Sequence, residues 1–231
     1  MTFFSDLKQF VYDPPEFFDV LRTRNASSSW IPILLEVLAS ALLFIVYYRC
    51  VNLPWLHEQL LADVPLEHRV KAARFLTVNF LMVSAVVSVA VTVPLTTAIL
   101  STYFYVLGKV RNLPEKFGEW FLMVAWAGIV LVLTLPIGLV SVLSSDGGRI
   151  RPEEVNPLTL NQLVLHLDSS SRWHTLAESM NALLLIQIIL LGIGYARWTK
   201  TSILSGQLVA LVPFAAIYGT WAVVVSLLGS A

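Results

Sequence analysis

The chain has 231 residues with fifteen basic and fifteen acidic side chains, so only 13% of it is charged while 57% is apolar, and its mean hydropathy is +0.75. Ordinary soluble domains are about a quarter charged and just under half apolar, which excludes a soluble globular protein. Zero net charge without a long basic run excludes a nucleic-acid partner, and the single Cys50 excludes a disulfide framework or a cysteine-based structural metal site.

The placement of the charges gives the class. The stretches 30–48, 75–108, 120–143, 179–196 and 202–231 hold one charged residue between them, Glu36. Runs of about 18–20 uncharged residues are what a bilayer core of about 30 Å requires. The expected fold is therefore all-α: a polytopic transmembrane bundle of five spans (six if 75–108 is a hairpin) with short amphipathic surface helices. It divides into an N-terminal interfacial segment, 1–29, and a transmembrane domain, 30–231, with spans at about 30–48, 75–108, 120–143, 175–196 and 202–229.

In chain order, Phe3, Phe4, Phe10 and Tyr12 are aromatics suited to headgroup level. Asp13-Pro14-Pro15-Glu16 reads as a helix start, with Asp13 at the N-cap, Pro14 at the first helical position and Glu16 completing a capping box. At 100° per residue Phe17, Phe18, Val20 and Leu21 share one face, and Glu16, Asp19, Arg22 and Thr23 the other. That face rests either on a membrane surface or on the protein's own bundle.

Ser27-Ser28-Ser29 offers a cap before the first span, which Trp30 and Tyr47-Tyr48 bracket. This run begins after 29 largely polar residues and is expected to stay as an anchor rather than be cleaved as a signal. Leu53, Trp55, Leu56, Leu60 and Leu61 predict a second surface helix, and Asp63-Val64-Pro65 starts a third. As one straight helix, 75–108 would be about 51 Å long. Pro94 at its centre can kink it, so one long, broken or tilted element is favoured over a tight hairpin. The third span carries Pro136. Asp146-Gly147-Gly148 then opens the longest hydrophilic region, where Asn156 to Asn161 form a turn feeding a short helix. Positive charge does not orient the five-span chain, with eight Lys and Arg on the N-terminal side against seven opposite.

Recognisable catalytic constellations are sparse. His57-Glu58 begins like a zinc-protease helix, but Leu61 stands where the second His belongs. His166, Asp168, Ser169 to Ser171 and His174 contain the ingredients of a hydrolase, yet three serines ahead of Arg172-Trp173 more simply cap the next helix. No cofactor or metal is expected. Intramembrane polar residues are the remaining route to a site, because an ionisable group in hydrocarbon is costly. Glu36 lies six residues past Trp30, about 9 Å below that aromatic belt. Asn79 is placed to bond to a neighbouring helix, and Glu178, Asn181 and Gln187 mark the fourth span. Glu178 and Gln187, nine apart, fall on opposite faces of one helix. Phe17, Phe18, Leu21 and Trp55 are the candidate interfacial contacts. Ser84-x-x-x-Ser88 and Ala215-x-x-x-Gly219 are small-residue patterns that permit close helix approach, within the chain or by self-association.

The order of these features resembles a known family. Tyr12-Asp13-Pro14-Pro15-Glu16-Phe17 precedes Trp30-Ile31-Pro32 and the first span; a long apolar element, then Lys109 to Gly118, leads to a span with Pro136. Leu165-His166-Leu167-Asp168 and Trp173 precede a span with Gly192 and Gly194 and a last apolar span. From about Phe10 to Gly229 the chain resembles the bacterial branch of the Yip-domain family, named for eukaryotic members that interact with Ypt/Rab GTPases. The resemblance implies a five-span bundle in a bacterial inner membrane with a cytoplasmic N-terminus; the eukaryotic members are linked to vesicle trafficking and membrane shaping, without enzymatic activity. The long hydrophilic N-terminal region and the aspartate-leucine-x-glycine-proline motif of eukaryotic members are missing, so Rab binding is not carried over.

The expected function is that of a non-enzymatic integral membrane protein that organises lipid or binds a partner membrane protein. The alternative is a small transporter or carrier using Glu36, and a third reading is a membrane hydrolase built on His166, Asp168 and Ser169.

Overall fold

A helix satisfies its backbone polar groups within itself, so each uncharged run can enter hydrocarbon only as a helix or as part of a closed barrel. The computed structural model describes residues 3–24, 29–62 and 64–228 and takes the helical solution throughout. In chain order the α-helices are α1 (Phe3–Tyr12), α2 (Pro14–Leu21), α3 (Trp30–Cys50), α4 (Leu53–Leu60), α5 (Leu66–Phe75), α6 (Val78–Val110), α7 (Phe117–Gly128), α8 (Thr134–Ser144), α9 (His174–Ser179), α10 (Ala182–Thr199) and α11 (Ile203–Leu228). Among the described residues five helices are long and apolar enough to cross a membrane: α3, α6, α7 running on through α8, α10 and α11. Five spans place α1, α2, residues 111–116 and the α10–α11 turn on one side of the bundle, here the proximal side. Helices α4 and α5 and residues 145–181 lie on the distal side.

The stretch 75–108 is one helix, not a hairpin. α6 runs 33 residues through Pro94 without a break, about 50 Å. Thr77 caps it by accepting a hydrogen bond from the Phe80 amide at 3.2 Å. Around Pro94 the Thr96 and Thr97 hydroxyls donate back to carbonyls of the preceding turn. Only Thr97, Ser101, Phe104 and Gly108 are buried along its length.

At the centre stands α7. Trp120 and every residue from Leu122 to Gly128 are buried, as expected of a helix apolar on all sides. The proximal core gathers around it. Trp126 touches Phe3, Phe10 and Phe17 with ring centroids 4.8–6.1 Å apart. Trp120 lies between Phe104 and Trp198, at 6.1 and 5.2 Å. A second, smaller distal core joins Leu43, Tyr47, Leu56, Val142, Ile150 and Val155.

The close crossing of α10 and α11 occurs at glycines that the small-residue patterns did not mark. A Cβ on Gly206 would stand 2.2 Å from the Gly192 carbonyl oxygen, and one on Gly192 2.5 Å from the Gln207 side chain. Ser84, Ser88, Ala215 and Gly219 all face outward instead.

The helix starts follow the sequence in part. Asp13 accepts from the Glu16 amide at 3.1 Å, with Pro14 opening α2. Ser29 occupies the N-cap position of α3 but makes no side-chain cap bond. Ser27, Ser28 and the Asp63 start lie outside the described residues.

Candidate functional site

Glu36 is half-buried on α3, a turn and a half into the first span. It meets α7 and α10 at one point. A Cβ built on Gly128 would lie 3.3 Å from the Glu36 carboxylate and 3.4 Å from the Gln187 amide nitrogen. The missing side chain at Gly128 is therefore what lets a carboxylate and a primary amide approach from opposite helices. None of the ion pairs among the described residues involves Glu36.

At that same glycine the third span changes its winding. Residues Ile129–Leu133 form a 3₁₀ segment before α8 resumes at Thr134, and this segment packs on both α3 and α10. A 3₁₀ stretch inside a long helix often marks a hinge or local strain. Glu36, Gly128 and Gln187 thus form an intramembrane polar centre beside a change of helix type. The sequence singled out Glu36 and Gln187 separately; their meeting depends on how three spans pack, which spacing along one chain does not reveal.

Glu178 and Asn181 belong elsewhere. The fourth span does not begin at 175: the backbone turns extended at Met180 and Asn181, and α10 starts only at Ala182. Asn181 is the cap of that helix, its side-chain oxygen accepting from the Leu183 amide at 2.8 Å. Glu178 sits before the break on the short α9, outside the span. Its carboxylate accepts from the Thr159 hydroxyl, the Asn161 amide and the Gln162 amide, each at 2.7 Å, with His174 Nε2 at 3.8 Å. Hydrogen bonds between Leu160 N and Met180 O and between Ala182 N and Leu158 O complete the clasp. Asn79 is exposed in the first turn of α6 and does not turn toward a neighbouring helix.

Phe17, Phe18 and Leu21 are corrected from interfacial contacts to core. All three are fully enclosed, because α2 lies against α7 and α10. Trp198 Nε1 donates to the Phe18 carbonyl at 2.8 Å. Trp55 is half-buried against the distal core. The polar face of α2 and the residues after it reach partners the sequence gave no means of finding. Arg22 pairs with buried Glu115, Asp19 with Arg197, and Arg24 with Asp6. The Asp6 carboxylate, hydrogen-bonded to Arg24, holds that guanidinium above the ordinary arginine range.

Several of the hydrolase ingredients serve local structure. The Ser171 hydroxyl accepts from the Trp173 amide, the Asp168 carbonyl accepts from the Ser171 amide, the His166 amide donates to the Asn161 carbonyl, and His174 lies beside Glu178. Among the described residues no group of three His, Cys, Asp or Glu side chains is placed to hold a metal ion.

Five apolar spans, one of them carrying the buried central helix α7, define a polytopic α-helical membrane protein. The model of one family, the Yip1 domain, matches residues 8–224, nearly the whole chain. The protein belongs to the Yip1 domain family. Among curated proteins and among solved structures, nothing matches the chain.

Proposed function

We propose that the protein is a non-enzymatic membrane component that acts by contact, either organising the surrounding lipid or binding another membrane protein. The observation that supports this reading is the unequal burial of the spans. Over their most apolar eighteen residues α6 buries none and α11 6%, whereas the third span and α10 bury half. The two least covered helices are also long, at 33 and 26 residues. A span of about 50 Å in a core of about 30 Å must tilt or deform the bilayer, so the uncovered surface of α6 is where lipid or a partner meets the protein. The placement that goes with this reading is a bacterial inner membrane with the proximal side in the cytoplasm.

A second reading is favoured by the polar centre: a small carrier in which Glu36, opposite Gln187, binds a proton or cation beside the 3₁₀ segment. The two readings part at Glu36→Gln. Under the contact reading the variant keeps its membrane localisation and its complex on a native gel. Under the carrier reading it loses proton flux in proteoliposomes loaded with a pH-sensitive dye.

A further inference from the structure

On the distal side the loop before α9 is built with two faces. Along Leu158-Thr159-Leu160-Asn161-Gln162-Leu163-Val164 the polar residues turn to Glu178. Leu158, Leu160, Leu163 and Val164 instead line a cavity of about 270 Å³. Its other walls come from two spans, Leu185 and Ile188 on α10 with Phe214 and Ala215 on α11. The Tyr218 hydroxyl, also in the lining, donates to the Ser179 carbonyl at 3.0 Å and so ties α11 to α9.

The chemistry of the cavity selects its occupant. Among the described residues no charged side chain lines it, and the Asn181 side-chain oxygen and the Tyr218 hydroxyl are already engaged. Water does not settle in an apolar cavity that offers it no partners, while an unfilled one leaves its lining without dispersion contacts. Leu185 and Ile188 are the fourth and seventh residues of α10, about 5 and 9 Å inside the distal end of the span. Leu185 of α10 and Leu211 and Ala215 of α11 are lining residues exposed at the surface of two membrane-spanning helices, a surface that hydrocarbon covers in a bilayer. Leu163, Val164 and Leu165 are 52%, 65% and 45% exposed at that edge, which suits a loop resting in the acyl region.

We propose that this cavity takes one acyl chain of a bilayer lipid, and that Glu178 positions the loop that forms its outer wall. The proposal rests on the contact reading above and narrows it to a hydrocarbon chain at a defined place. Because nothing charged lines the cavity, the chain is recognised and the headgroup is not.

The test uses the full chain in vesicles of phosphatidylethanolamine and phosphatidylglycerol, doped with a phospholipid whose chain carries a terminal photoactivatable diazirine. Lipid adducts mapped by peptide mass spectrometry are expected to concentrate on 158–164, 184–188 and 211–218, about tenfold above the lipid-facing stretch 83–91. Ala215→Trp and Leu185→Trp, at exposed wall positions on different helices, fill the space and lower those adducts about fivefold. Ala216→Trp, exposed one residue away and outside the lining, leaves them unchanged. Exchanging the headgroup of the probe also leaves them unchanged. Adducts spread evenly over every lipid-facing helix, or indifference to both blocking variants, overturns the proposal. Cross-links from the cavity to another protein in native membranes overturn it in favour of a protein occupant. Each of these outcomes leaves the contact reading to be judged by what co-purifies with the chain.

Discussion

The two ends of the bundle are closed in different ways. Proximally, α1 and α2 fold onto the central helix, and Phe17, Phe18 and Leu21 disappear into a core of aromatic rings. Ion pairs then fix the rim, among them Arg22 on a carboxylate, Glu115, that is only 4% exposed. Distally, the loop 158–167 is held chiefly by hydrogen bonds converging on one carboxylate, and it covers a cavity instead of filling it. Aromatic packing closes the first end; at the second, a polar clasp holds a loop over an apolar cavity.

Substitutions that separate the two ends are expected to differ in size and reach. Phe18→Ala empties the middle of the proximal core and should cost about 3–5 kcal/mol, seen as a loss of the folded state in detergent unfolding that spreads to α7 and α10. Arg22→Ala leaves Glu115 buried without its partner, at about 3 kcal/mol; Arg22→Ala with Glu115→Leu should recover most of that loss in the same assay. Glu178→Ala strips three donors of their acceptor. It should cost about 2 kcal/mol and raise amide exchange in 158–167 while α1 and α2 stay protected. Should exchange rise equally at both ends, the two are not independent. Arg197→Ala removes a pair whose side chains are 46% and 43% exposed, and a change of no more than about 0.5 kcal/mol is expected.

Much of this architecture is legible in the residues. Apolar length marks all five spans, and the Asp13-Pro14 start of α2 forms its cap as read. The start of the fourth span was not legible, because Leu176, Ala177 and Met180 continue its apolar pattern while the break is made by Asn181 capping α10. The direction of the α2 apolar face was open for a related reason: a hydrophobic stripe fits lipid and a helix bundle equally well, and only the rings waiting on α7 and α10 decide it. Long-range pairs such as Arg22 with Glu115, 93 residues apart, leave no local signal at all. The polar centre was half-legible. Glu36 stands out as the one charge in an apolar run, but Gly128 becomes informative only when α3 and α10 are seen to meet over it.

That the protein works by contact is tested most directly by gentle release from its native membrane followed by a native mass spectrum that records proteins and lipids together. The account predicts a peak carrying either a stoichiometric protein partner or a retained lipid, with Glu36→Gln giving the same spectrum. A bare chain with an indiscriminate mixture of lipids, together with proton flux that Glu36→Gln abolishes, would contradict it.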